Sequence, residues 1–448
     1  MTRRLPAALA AGLVLADSSI VTLALPEILG ELDLTVAEVA WVLVSFNLAL
    51  AAAALPGGLL ARRGPRVALA AGIVVFAAAC LLCALAERFG VLLAGRVVQG
   101  IAGAVVVAAA LELLLRADRP RAVGTWATAG VLGAAVGPAA GGVLTDVLSW
   151  QAMFALQAPV ALLALPAVAV GGRAAPVRAA PEARPAPPVA ALAALALASA
   201  ALAAALFLLV TMLIEGWRHS PAAAAGIVTV MPASALLAPW VARAVGAHDV
   251  AWRAASGAVL LAGGLAALGL LPDASPWWTV APQVLVGLGM GLVVTGLTRL
   301  AVPDGPSAGH DASLTILARH AGVVAGLLLL TPVFTADLEA QQEPTEMAGL
   351  SELLDAPLPL TVKVRLATAL ADAVESADGR IPDLDPAFAR AEAGPERAAA
   401  LRELRAEIDE QLDRAGTEAF SRSFLVAAAF ALLALVPIAV LGVRRPRR

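Results

Sequence analysis

The sequence predicts an all-α membrane protein of twelve transmembrane helices in two pseudo-symmetric six-helix bundles, with a mainly helical extracytoplasmic insert. Three observations predict it. The 448 residues are 60% apolar and only 15% charged, with a mean hydropathy of +0.86, outside the range of soluble domains and of disordered chains. The apolar residues fall in blocks of about 20, the length a helix needs to cross a bilayer. Arginines crowd into alternate connections between those blocks, as they do on the cytoplasmic side of membrane proteins.

The apolar blocks run over 5–29, 39–61, 66–86, 90–115, 122–145 and 149–171, then over 189–214, 222–245, 252–271, 277–300, 313–335 and 421–443. Lipid cannot satisfy an unpaired backbone, and the blocks lack the strict alternation of barrel strands, so they are read as helices. The first block follows Arg3 and Arg4 in the manner of a signal peptide. Its apolar run continues past Asp17 to Leu29, so a retained span is expected. The domain reading is an N-terminal bundle at 1–171, a linker at 172–188, spans 7–11 at 189–335, an acidic insert at 336–420, and the last span with a basic tail at 421–448.

Eighteen arginines occupy one set of connections, among them Arg62, Arg63, Arg66, Arg116, Arg119, Arg121 and the tail, against Arg88 and Arg218 in the short loops of the other set. Both termini are therefore expected in the cytoplasm, in a multi-pass plasma-membrane protein. The Pro/Ala/Arg composition of 172–188 reads as an extended connector. The 336–420 segment holds nineteen Asp and Glu against eight Lys and Arg, a net charge of −11. Within it, Val362, Leu366, Leu370 and Val374 recur at i, i+4, and Leu401, Leu404, Ile408 and Leu412 form a second stripe after Pro395. Two short amphipathic helices follow from that spacing. They serve either as a solvated decoration or as a cover for the membrane domain's mouth.

An internal repeat supports the two-bundle reading. At an offset of 187 residues, Arg96 falls on Gln283, Gly100 on Gly287, Ala104 on Gly291 and Glu112 on Arg299. Paired halves of this kind, joined by a linker, are the sequence sign of a rocking transporter with its site between the halves.

Several motifs, in order, make the chain resemble the major facilitator superfamily, and within it the drug:proton antiporters. These are LADSSIVTLALPEI (15–28), GGLLARRGPRVAL (57–69), GRVVQGIAG (95–103), GVLGAAVGPAAGG (130–142), ARHAGVVAG (318–326) and FSRSFLVAAA (420–429). The last two resemble the branch drawn with fourteen helices, here without its two central spans. The resemblance implies proton-coupled export by alternating access. It also implies a conformational role for Gly57, Arg62 and Gly64 in the loop after span 2. That loop departs from the family pattern at Ala61, where an acid that ties the halves together is usual, and at Pro65.

The chemistry centres on Asp17, near the middle of span 1. An unpaired ionised Asp there costs roughly 2.5–3.5 kcal/mol, so a partner is expected, and Arg96 is within reach of a long guanidinium. Arginine favours the carboxylate while removal from water favours the acid, so the pair reads as a proton-coupling site. A permanent structural ion pair is the alternative. Gln99, one turn after Arg96, Asn47 in span 2 and Gln283 in span 10 are candidate cavity groups, with an interhelical hydrogen bond the equal alternative for Asn47. Gly100 reads as a position where a neighbouring helix approaches closely, and the span 5 residues Gly133, Gly137, Pro138, Gly141 and Gly142 read as packing positions that seal and bend the interface between halves. Glu112 reads as a gate or a partner of Arg116. Arg319 and His320 read as the start of span 11, the histidine as interfacial. Cys80 and Cys83 read as inert thiols facing lipid.

No Gly-x-x-x-x-Gly-Lys-Ser/Thr loop is present, the four histidines lack metal-like spacing, and no nucleophile–base constellation emerges. The expected protein is not an enzyme. It needs no cofactor beyond a proton gradient and binds protons, lipid and small hydrophobic or amphipathic compounds, not nucleic acid, as a monomer. Two rival readings are a lipid or lipid-precursor transporter using the insert, and a transport-inactive sensor or scaffold.

Overall fold

The computed structural model describes residues 5–169, 189–244, 249–303, 307–377, 384–391 and 395–443. Arg3, Arg4, the linker at 172–188 and the basic tail at 444–448 lie outside the described residues. Among the described residues, eleven helices are long and apolar enough to span a membrane, and the count is twelve when Pro221–Ala235 and Ala238–Ala244, bent by 41°, are taken as one broken span. Spans 1 to 6 are Leu5–Thr22, Val36–Arg63, Pro65–Ala84, Phe89–Asp118, Arg121–Val147 and Trp150–Ala169. Span 7 is Val189–Gly216 and span 8 is the bent pair. Spans 9 to 12 are Val250–Leu268, Pro276–Ala301, Ala308–Leu338 and Ala398–Leu441.

Local chemistry sets the ends. Span 2 opens on a capping box, in which the Thr35 hydroxyl accepts from the Glu38 amide at 3.2 Å and the Glu38 carboxylate accepts from the Thr35 amide at 2.9 Å. Ser149, Ser220 and Asp249 cap spans 6, 8 and 9 with a side-chain oxygen that accepts from the amide three residues on. Spans 4 and 5 are joined by a break at Asp118 (φ −162°, ψ 84°), where the chain turns back.

Small residues bring the helices together. A Cβ on Gly100 would lie 2.4 Å from the Phe46 carbonyl of span 2, and one on Gly287 would lie 1.9 Å from the Met231 carbonyl of span 8. The two residues that align at the repeat offset thus make equivalent close approaches in their own halves, with Arg96 and Gln283 fully buried one turn earlier on each helix. Gly57 packs on Val105 of span 4 in the same style. Large apolar side chains such as Val67, Val74, Val136, Trp240 and Val259 remain exposed on the outside of the bundle, as a lipid solvent requires.

The structure corrects four expectations. Gly133, Gly137 and Gly141 pack against Gly12, Ser19 and Ile20 of span 1, inside their own half, and only Gly142 meets the other half, at Pro221 and Ala225 of span 8. The helix runs unbroken through Pro138. Cys80 and Cys83 face the protein interior, not lipid, because Gly95 and Gln99 of span 4 cover them. Span 11 begins at Ala308, not near 313. Its polar first turns pack on span 2, with Ser313 against Gly58, and therefore escape a hydropathy count.

The fourth correction concerns the insert: its first stripe lies on a helix of its own, as expected, but its second lies on a long helix continuous with span 12, not on a short one. Spans 11 and 12 continue beyond the apolar blocks as the helices Ala308–Asp355 and Pro395–Leu433. The helix Leu360–Ala377 shares an apolar core with both. Both apolar stripes turn inward, burying Val362, Leu366, Leu401, Leu404 and Ile408 with Leu353 and Phe388 in a small separate core; the Val374 side chain lies outside the described residues. Arg218, in the loop after span 7, pairs with Asp409 at 2.6 Å and Asp413 at 3.1 Å, and Trp217 donates to the Thr417 hydroxyl at 3.0 Å. The insert is thus docked on the membrane domain.

Candidate functional site

The site forms where spans 1, 2, 3, 4 and 11 converge. Asp17 lies twelve residues into span 1, about 18 Å along the helix, and His320 lies twelve residues into span 11, an equal depth. Both therefore sit near the middle of the membrane, where an ionisable group demands a partner.

Asp17 finds that partner in Arg96. The guanidinium Nη1 lies 2.7 Å from Asp17 Oδ2, with both side chains fully buried. Span 4 supplies Arg96 and, one turn on, Gln99, whose side chain completes the arrangement. Arg96 Nη1 donates to Gln99 Oε1 at 2.6 Å, and Gln99 Nε2 donates to Asp17 Oδ1 at 3.1 Å. The glutamine amide therefore closes a ring with the ion pair, using its acceptor on the cation and its donor on the anion. Gln99 Nε2 also reaches Cys80 Sγ at 3.1 Å.

Arg96 is held from its other sides as well. Its Nε donates to the Val42 carbonyl of span 2 at 3.0 Å. The Phe46 ring lies 4.3 Å and the Phe154 ring 5.7 Å from the guanidinium carbon, giving cation–π contacts in a desolvated setting. Arg96 Nη2 has no hydrogen-bond partner. The positive charge is thus locked in place while its balance rests on one carboxylate.

A second polar chain runs beside the first. Ser18, next to Asp17, accepts from Asn47 Nδ2 at 3.1 Å, and the same amide nitrogen donates to the Leu43 carbonyl at 2.8 Å. Because a carbonyl only accepts, the amide orientation is fixed, and Asn47 Oδ1 is the atom left to receive the imidazole of His320 at 2.7 Å. His320 Nδ1 therefore carries a proton. Its Nε2 is buried without a partner.

The expected residues divide accordingly. Asp17, Arg96 and Gln99 come together in one cluster, and Asn47 stands beside them. Gln283 is fully buried in span 10 and donates to Thr279 at 2.9 Å, within its own helix, while its Oε1 has no partner. Gly64 caps span 2, and the Arg62 carbonyl accepts from Arg116 at 3.2 Å. The Glu112 carboxylate lies against Gly309 at the start of span 11, so the halves meet there as well as at Gly142. Sequence reading missed His320 as a partner of Asn47, and Ser18, Phe46 and Phe154 as supports. The Ser-Ser step after Asp17 was the available signal for Ser18. Among the described residues, no group of His, Cys, Asp and Glu is arranged to hold a metal ion.

Comparison with known proteins agrees with this architecture. A family model described as Major Facilitator Superfamily matches residues 7–327. An uncharacterized MFS-type transporter of Mycobacterium tuberculosis is 35% identical over 158 residues, covering 34% of this chain and 27% of that protein. The methylenomycin A resistance protein of Bacillus subtilis is 34% identical over 165 residues, covering 35% of each. The tetracenomycin C resistance and export protein of Streptomyces glaucescens is 36% identical over 160 residues, covering 34% of this chain and 29% of that protein. The chain thus spans about a third of the length of the curated relatives it matches. A bacterial homolog of the human lysosomal transporter Spinster, solved in an inward-facing, unoccupied conformation, shares the fold with a TM-score of 0.66 at 16% identity, covering 100% of this chain and 98% of that one.

Proposed function

From the premise that the chain belongs to the major facilitator superfamily, we propose that it is a proton-coupled exporter of small hydrophobic or amphipathic compounds, working by alternating access. The chain is a transporter of that family, not an enzyme. The observation that carries the coupling is the closed ring of Asp17, Arg96 and Gln99. With Asp17 ionised the ring is neutral overall. Adding a proton to the carboxylate leaves the Arg96 charge without its counter-ion in a site removed from water, a state that favours rearrangement. One carboxylate can thereby link proton occupancy to the tilt of the halves.

The cargo reading rests on the strongly apolar composition of the chain and on relatives named for antibiotic resistance and export. Export to the outside follows if the arginine-rich connections face the cytoplasm, which also places both termini there, in the plasma membrane. Protein reconstituted in vesicles with an imposed proton gradient tests the proposal. The wild type moves amphipathic substrate against its concentration, while Asp17→Asn inserts and folds but no longer responds to the gradient. Full gradient-driven transport by Asp17→Asn would refute the assignment.

A further inference from the structure

The hydrogen bond between Asn47 and His320 crosses from the N-terminal half to the C-terminal half at mid-membrane depth, and resting on the transport reading above, we infer that it is a latch whose making and breaking is part of the transport cycle. His320 is in this sense a positioning residue, acting through Asn47.

The inference stands on the placement of five atoms. Asn47 Nδ2 is already committed to Ser18 and to the Leu43 carbonyl, so Oδ1 looks to the other half for its short bond. Asn47 is fully buried and His320 is nearly so. Separation of the halves at this level strands a donor and an acceptor in a region poor in water. The strength of the latch therefore weighs directly on the balance between conformations. Breaking one such bond shifts an equilibrium by about 5- to 150-fold.

Its position ties it to the proton site. Ser18 follows Asp17 on span 1, and Thr22 donates back to the Ser18 carbonyl at the next turn, which fixes this stretch as helix. A shift of span 1 when Asp17 changes partners moves Ser18, then Asn47, then the atom that His320 holds. Two separate bodies thus share a hydrogen-bonded chain that starts one residue from the carboxylate.

The imidazole supplies a specific test. Its Nδ1 occupies the place of an asparagine amide nitrogen, and its Nε2 that of a glutamine amide nitrogen. Since Nδ1 makes the bond and Nε2 is unpartnered, His320→Asn should keep the latch, whereas His320→Gln and His320→Leu should lose it. Spin labels on spans 2 and 11 report the distance between halves in detergent, with no substrate and no gradient. The expected result is a wild-type distribution for His320→Asn and a shift of about 5-fold or more toward the separated state for His320→Leu and His320→Gln. Asn47→Ala should produce the same shift, and adding His320→Leu to it should change nothing further.

Equal distributions for His320→Asn and His320→Gln, or additive effects of Asn47→Ala and His320→Leu, would overturn the latch. His320→Asn and Asn47→Ala keep the test open if the leucine variant fails to fold. Because the distance measurement needs no proton gradient, failure of the latch is read separately from failure of proton coupling, which the Asp17→Asn transport assay reports.

Discussion

Replacing Arg96 with Met removes the guanidinium and keeps an unbranched apolar side chain in the same space. The structure fixes what is lost: the 2.7 Å ion pair to Asp17, the 2.6 Å bond to Gln99 and the 3.0 Å bond to the Val42 carbonyl. None is replaced, and Asp17 is left buried with no cation beside it. Removing one member of a buried pair costs about 3–5 kcal/mol. Taking Asp17 away as well removes the stranded charge, so Asp17→Asn combined with Arg96→Met should recover at least half of that loss. Thermal unfolding of the four proteins, purified in one mild detergent, measures the cycle. The double variant should be more stable than Arg96→Met alone, a strongly non-additive result. Additive losses would refute the reasoning, because the two charges would then be stabilised independently of each other.

Two further outcomes are expected. Gly141→Val forces a side chain onto a site where even a Cβ would lie 2.2 Å from the Ile20 carbonyl, so spans 1 and 5 must part, with a loss of about 1–3 kcal/mol; Gly226→Ala, with nothing within 4 Å, should be silent in the same unfolding assay. Arg218→Ala frees the insert from Asp409 and Asp413; these are partly exposed pairs worth about 0.2–1 kcal/mol each. The visible effect should be faster proteolysis between residues 395 and 420, with the membrane domain's melting temperature unchanged.

The legible parts of the sequence were those where lipid imposes a severe rule. A charged residue inside an apolar block must be paired, so the sequence itself directs Asp17 to Arg96, and the 2.7 Å contact follows that reasoning. The spans were visible because about 20 apolar residues have few other uses. Hydropathy fails where protein, not lipid, surrounds a helix. Residues 308–312 fall outside the expected span, yet they open the helix that packs on span 2, and this error puts His320 near an end of span 11 instead of its middle. Cys80 and Cys83 look identical in sequence whether they face lipid or span 4. The close approach of Gly133 and Gly141 was legible from their spacing, but the helix they approach was not, because small-residue faces carry no address.

The unbroken passage of spans 11 and 12 into the insert gives the C-terminal half a long lever. From His320 to Asp355 the helix extends about 52 Å, so a tilt of about 10° about the midplane sweeps the far end through about 9 Å. Movements of a fraction of a turn in the greasy interior are thereby magnified on the aqueous side, where a dye or an antibody fragment can follow them.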